Sequence, residues 1–115
     1  MANTFKLVTK AGVTSADVIY TVAGSTTTVV LGIMLGNTTS NQITATVTIE
    51  SDTGNRSGSN DESNQNVELV TNAPIPSGAS LELLAGNKVI METTDVLKLT
   101  ATGATDIALS IMEIT

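Results

Sequence analysis

The chain contains no cysteine, no histidine and no tryptophan, and Phe5 and Tyr20 are its only aromatic residues. Without cysteine there are no disulfides and no thiolate metal sites. Without histidine a Ser/His/Asp triad cannot be assembled, and the common zinc sites lose their usual ligands. The near absence of aromatics leaves no obvious platform for stacking sugars, and it leaves the core to Val, Ile, Leu, Ala and Met. Basic residues are scarce as well. The formal net charge is −6, and Lys6, Lys10, Arg56, Lys88 and Lys98 are scattered along the chain, which argues against a nucleic-acid partner. The longest apolar run, residues 29–35, is too short to cross a bilayer, so no membrane partner is expected. The N-terminal residues 1–6 carry no apolar signal core and lead directly into a strand pattern; a soluble protein made in a cytoplasm is expected.

What the chain does have is alternation. Ile43, Ala45, Val47 and Ile49 interleave with Thr44, Thr46 and Thr48. Successive side chains of a strand point to opposite faces, so this segment reads as a half-buried strand, apolar on one face and hydroxylated on the other. The same period recurs in Phe5/Leu7/Thr9, in Val18/Tyr20/Val22, in Leu97/Leu99/Ala101 and in Ile107/Leu109/Ile111. Residues 28–35 are apolar on both faces and read as a strand covered on both sides, with Gly32 marking a bulge or a close backbone approach. Residues 67–73, 80–84 and 88–91 complete the set. Turns are expected at 11–16, 23–25, 36–41, 72–78, 85–87, 92–95 and 102–105. Eight or nine short strands spaced by about ten residues predict a single all-β domain over residues 1–115, an antiparallel β-sandwich of jelly-roll type. Residues 51–66 are Ser, Asn, Gly and Asp with no large apolar side chain. They predict a mobile polar loop joining two antiparallel strands.

Chemistry is thinly represented. The carboxylates Glu50, Asp52, Asp61, Glu62, Glu68, Glu82, Glu92, Asp95, Asp106 and Glu113 could in principle form an acid/base pair. Most fall at turns or outward strand positions and read as solvated surface groups. Asp52, Asp61 and Glu62 lie near one another in the polar loop, but their spacing does not match a calcium loop. The glycines fall in separate turns with no helix following, so no phosphate cradle is formed. Met34, Met91 and Met112 are expected to fill the core. No catalytic residue, cofactor or metal site is expected, and an enzyme is the least favoured class.

The order of motifs carries a resemblance. It runs through Val18-Ile19-Tyr20-Thr21-Val22, the segment 24–32, the Asn37-Thr38-Thr39 turn, Asn72-Ala73-Pro74-Ile75-Pro76-Ser77-Gly78, and the closing Ser110-Ile111-Met112-Glu113-Ile114. In these features the chain resembles small virion structural proteins of tailed bacteriophages, especially those of marine and cyanobacterial hosts. The second strand of such proteins often runs into a proline-bearing turn, which Val22-Ala23-Gly24 lacks, and the 51–66 loop looks like a local insertion. The resemblance implies a non-enzymatic virion component, made in the host cytoplasm. Its foremost form is a decoration or cement protein, bound to the major capsid protein on the outside of the head as a small homo-oligomer such as a trimer. A tail, collar or baseplate subunit is the alternative, and a carbohydrate-binding module using the polar loop is a third class. Two contact regions are expected: an N-terminal arm (Ala2, Asn3, Thr4, Phe5, with Lys6) and the rigid Pro74, Ile75, Pro76 turn.

Overall fold

A computed structural model describes residues 2–51, 64–84 and 86–115. The described residues form nine strands and no helix: β1 Asn3–Val13, β2 Ala16–Thr21, β3 Thr27–Asn37, β4 Ile43–Glu50, β5 Val67–Ile75, β6 Ser80–Leu83, β7 Val89–Met91, β8 Val96–Ala101 and β9 Thr105–Ile114. All pair antiparallel in two sheets, one ordered β1-β9-β3-β6 with β7 also paired to β3, the other β2-β8-β4-β5. Because β6 and β7 pair with successive parts of β3, they occupy one strand position. Eight positions then run 1-8-3-6 in one sheet and 2-7-4-5 in the other, the wrapped order of a jelly roll.

The core lies between the sheets. Val30, Ile33, Leu35, Leu109 and Ile111 from one sheet face Ala45, Val47, Ile49, Leu97 and Leu99 from the other, all buried. Burying each of the larger of these side chains stabilises the fold by roughly 1.5–3 kcal/mol. The strand β4 alternates buried and half-buried along its whole length, as its Ile/Ala/Val–Thr pattern requires. Strands β4 and β5 pair antiparallel across the polar connection; residues 52–63 of that connection, with the expected mobile loop and its Asp52, Asp61 and Glu62, lie outside the described residues.

Several expectations change. The turn placed at 11–16 is mostly strand, since β1 runs to Val13 and β2 starts at Ala16. A bulge lies between Lys10 and Val13, and Gly12 takes φ +68 there, a conformation open to glycine without steric cost. Val18 is not on the inward face of β2. A register shift between Val18 and Tyr20 re-phases the strand, so Ile19 and Tyr20 both pack against the core while Val18 is exposed. Only the first half of β3 is covered on both faces: Thr28, Val29 and Val30 are buried, but beyond a register shift at 30–32 Ile33 points in and Met34 points out. Gly32 therefore marks a bulge, with no atom within 4 Å of where a Cβ would stand. Of the three methionines expected in the core, Met91 is buried and Met34 is exposed, while Met112 is half-buried.

A candidate assembly surface

The first strand carries its polarity inside out. Its register with β9 sets Lys6 opposite Ile111 and Val8 opposite Leu109. Ile111 and Leu109 face the core, so Thr4, Lys6, Val8 and Lys10 lie on the inner face of β1. Phe5, Leu7 and Thr9 lie on the outer one. The inner lysines are tied down at the margin of the sandwich, Lys6 Nζ to Glu113 Oε1 at 2.7 Å and Lys10 Nζ to Asp17 Oδ2 at 2.7 Å. Phe5 and Leu7 remain 72% and 69% exposed.

The outer face continues across the sheet. The register aligns Phe5, Met112, Val29 and Ile90 in one row and Leu7, Ser110 and Gly32 in the next. A third row holds Thr9, Ala108, Met34 and Glu82. Directly opposed residues of a sheet share a face, so Phe5, Leu7, Met34 and Ile90 share one outer face, with Ser110, Thr9 and Glu82 among them. Small side chains between them leave an open depression of about 380 Å3 beside Met34, floored by Ala108 and bordered by Thr9 and Gly36. The other large apolar side chains exposed among the described residues, Val18 and Val67, sit on the two opposite edge strands of the second sheet. On that sheet's two central strands the inner positions are apolar, and the outer face carries Thr44, Thr46, Thr48 and Thr100 together with the Lys98–Glu50 ion pair. The two outer faces of the sandwich thus differ in kind.

The residues expected at an interface are placed differently. Segment 2–6 is not a free arm. Ala2 and Thr115 exchange backbone hydrogen bonds of 3.1 and 2.9 Å, and Asn3, Thr4 and Phe5 are paired in β1. Phe5 nonetheless presents its ring to solvent. In the proline turn Pro74 and Pro76 are exposed, but Ile75 is a core residue at 1% exposure. Its carbonyl accepts a hydrogen bond from Asn37 Nδ2 at 2.9 Å. Pro74 is tolerated because β5 is an edge strand, where one side of the backbone needs no partner. The Asn37 side chain, itself buried, also donates to the Asn41 carbonyl and accepts from Thr39 N and Oγ1, each at 2.8 Å. The Asn37 turn and the Pro74-Ile75-Pro76 segment are thus one structural joint. Periodicity at β1 held the signal for the outer face; Met34 and Ile90 carried none, because their register depends on bulges and distant pairings.

Among the described residues no three His, Cys, Asp or Glu side chains gather where they could hold a metal ion, and no helix is long and apolar enough to cross a membrane. No family model matches the chain, and no curated protein matches it. Two solved structures follow a similar course. One is a chain from Bacillus endospore appendages, described as disulfide-linked pili: 15% identity, 99% of this chain and 87% of that chain, TM-score 0.47. The other is a chain of the IBDV viral particle: 8% identity, 96% of this chain and 35% of that chain, TM-score 0.45. This chain therefore spans about a third of the length of that viral-particle chain. At these identities and scores neither likeness bears on what the chain does.

Proposed function

We propose that the protein is a non-enzymatic structural subunit of a virus particle, in its most concrete form a decoration or cement protein on the outer surface of a tailed-phage head. One observation carries the reading: a single outer face holds four of the large apolar side chains exposed among the described residues, Phe5, Leu7, Met34 and Ile90, while the opposite face is rich in threonine. A monomer gains nothing for its own core from apolar side chains on an outer face; a subunit that lays that face on a neighbour does. The sequence resemblance to small virion proteins supports the same reading. The mechanism is mechanical. The apolar face buries against major capsid protein at subunit seams, contributing roughly 25 cal/mol per Å2 before the costs of association. Repetition over the lattice turns modest contacts into a stiff net against internal DNA pressure, because a small homo-oligomer engages several sites at once.

The test is the copy number of this protein relative to the major capsid protein in purified virions, by quantitative mass spectrometry. A simple fraction of the shell subunit is expected. A handful of copies per particle would move the protein to the tail, collar or baseplate, and absence from virions would overturn the reading.

A further inference from the structure

The strand β1 stands at the end of its sheet, and among the described residues it pairs in a ladder with β9 alone. The phase of that ladder is fixed. Ala2 and Thr115 exchange both backbone hydrogen bonds and lie one step beyond the Asn3–Ile114 pair. Hydrogen-bonded and non-hydrogen-bonded pairs alternate along an antiparallel ladder. Thr4, Lys6, Val8 and Lys10 therefore aim their N–H and C=O groups at β9, and Asn3, Phe5, Leu7 and Thr9 aim theirs away from the sheet. The pairing is regular from Asn3 to Lys10, and the bulge comes only after it. No proline interrupts this stretch. A long, regular edge is a template for another strand, and the two inward lysines that would otherwise guard it are held by Glu113 and Asp17.

We propose that the added strand is β1 of a second copy of this chain, paired antiparallel about a two-fold axis that passes through Leu7. The charges select this register. Only Asn3, Phe5, Leu7 and Thr9 offer free backbone groups, so the axis must pass through a residue of β1. An axis at Lys6 sets Lys6 opposite the partner's Lys6, and an axis at Val8 sets Lys6 opposite the partner's Lys10. Like charges directly opposed are unfavourable. An axis at Thr9 runs into the bulge, and one at Phe5 shortens the ladder. With the axis at Leu7, Lys6 faces the partner's Val8, Lys10 faces the partner's Thr4, and Phe5 faces the partner's Thr9. Leu7 meets the partner's Leu7, and Phe5 lies diagonal to it, within reach of an aromatic side chain. The dimer stands on the geometry of β1; its use, joining two apolar faces into one continuous platform, rests on the assembly reading.

The absence of cysteine allows a direct test on the isolated protein. Opposed residues of a hydrogen-bonded pair have Cα atoms about 5.5 Å apart, inside the disulfide range of about 4.4–6.8 Å. Under mild oxidation Leu7→Cys is expected to form a covalent dimer of twice the 11.8 kDa chain mass. Phe5→Cys and Thr9→Cys are each expected to form no covalent dimer alone but to cross-link when mixed. If Leu7→Cys folds poorly, the mixed pair carries the test. Wild-type protein is expected to sediment as a dimer, and Leu7→Pro, which removes an N–H that β9 does not use, as a monomer with an unchanged circular dichroism spectrum. A monomeric wild type, or cross-linking of Leu7→Cys no faster than that of Val18→Cys on the other sheet, would overturn the proposal. Faster cross-linking of Phe5→Cys alone would overturn the register. None of these outcomes depends on whether virions contain the protein.

Discussion

Tyr20 on β2 donates its hydroxyl to Glu113 Oε2 on β9 at 2.6 Å, joining the two sheets at one end of the sandwich. The same hydroxyl lies 2.7 Å from Thr28 Oγ1, which is buried, and the other Glu113 oxygen holds Lys6. The four side chains come from β1, β2, β3 and β9. Burial and the Glu113 contact push the Tyr20 phenol up to about 12 from its ordinary 10.0. The hydrogen bonds from Lys6 and Tyr20 hold the Glu113 carboxyl below its ordinary 4.5.

The sign of each effect follows from which form the fold favours. For Tyr20 the stabilisation is fully present below pH 10 and is lost as pH rises toward 12. For Glu113 it is present above pH 4.5 and is lost as pH falls through the lowered value. The chain has one tyrosine and no tryptophan, so ultraviolet absorbance reads Tyr20 alone. A phenolate midpoint near 12 in the native protein is expected; a midpoint at 10 would show that the inter-sheet bond does not persist in solution. Tyr20→Phe, which strips a partner from buried Thr28, is expected to cost about 1–3 kcal/mol in chemical denaturation.

Much of this architecture was legible in the sequence because β4, β8 and β9 alternate without interruption, and alternation is a local property. Ile43, Leu99 and Leu109 are where a period of two puts them. The departures come from bulges, which insert a residue and swap faces without changing composition. One sends Val18 outward, and another returns β3 to single-sided burial at Met34. The Tyr20–Glu113 bond joins residues 93 positions apart, which no local pattern encodes. Ile75 was misplaced because flanking prolines suggested a surface turn, whereas the chain dips once into the core between them. The apolar face was hidden in plain view: Phe5 and Leu7 mark β1 as a strand, and only the sheet register shows that they point away from the core.

Asn37 supplies a test of the joint between β3 and β5. Its side chain makes four hydrogen bonds, to Thr39, Asn41 and Ile75. Asn37→Ala removes all four bonds, the buried one to the Ile75 carbonyl among them, and is expected to cost about 1–3 kcal/mol, measured by denaturant unfolding. A loss below about 0.5 kcal/mol, the scale of an ordinary surface substitution, would mean that the turn holds itself without this side chain.

Close approach governs Gly103. A Cβ there would stand 2.7 Å from Ile43 Cγ2, the branch methyl of a buried residue. Gly103→Ala is expected to destabilise by about 1–3 kcal/mol. Ile43→Leu removes the offending branch, so the double variant should recover part of that loss in a double-mutant cycle. Strict additivity of the two substitutions would contradict the packing described.

The outer apolar face contributes little to the stability of the subunit itself. Phe5→Ser and Ile90→Ser are expected to shift unfolding free energy by no more than about 0.5 kcal/mol, while Leu109→Ala in the core should cost about 2–5 kcal/mol. A comparable loss from Ile90→Ser, which lies away from β1, seen in thermal or denaturant melts, would mean that the face serves the fold and not a partner.

The central claim is that this face is covered in the assembled particle, and Met34 reports on it. Met34 is 48% exposed on the interior strand β3, away from β1, while Met91 is fully buried. Brief peroxide treatment followed by peptide mass spectrometry compares the isolated protein with the protein on purified virions. Met34 is predicted to oxidise readily in the isolated protein and to be strongly protected on the particle, with Met91 protected in both. Equal oxidation of Met34 in the two states would show that the face stays open to solvent in the particle and would contradict the account.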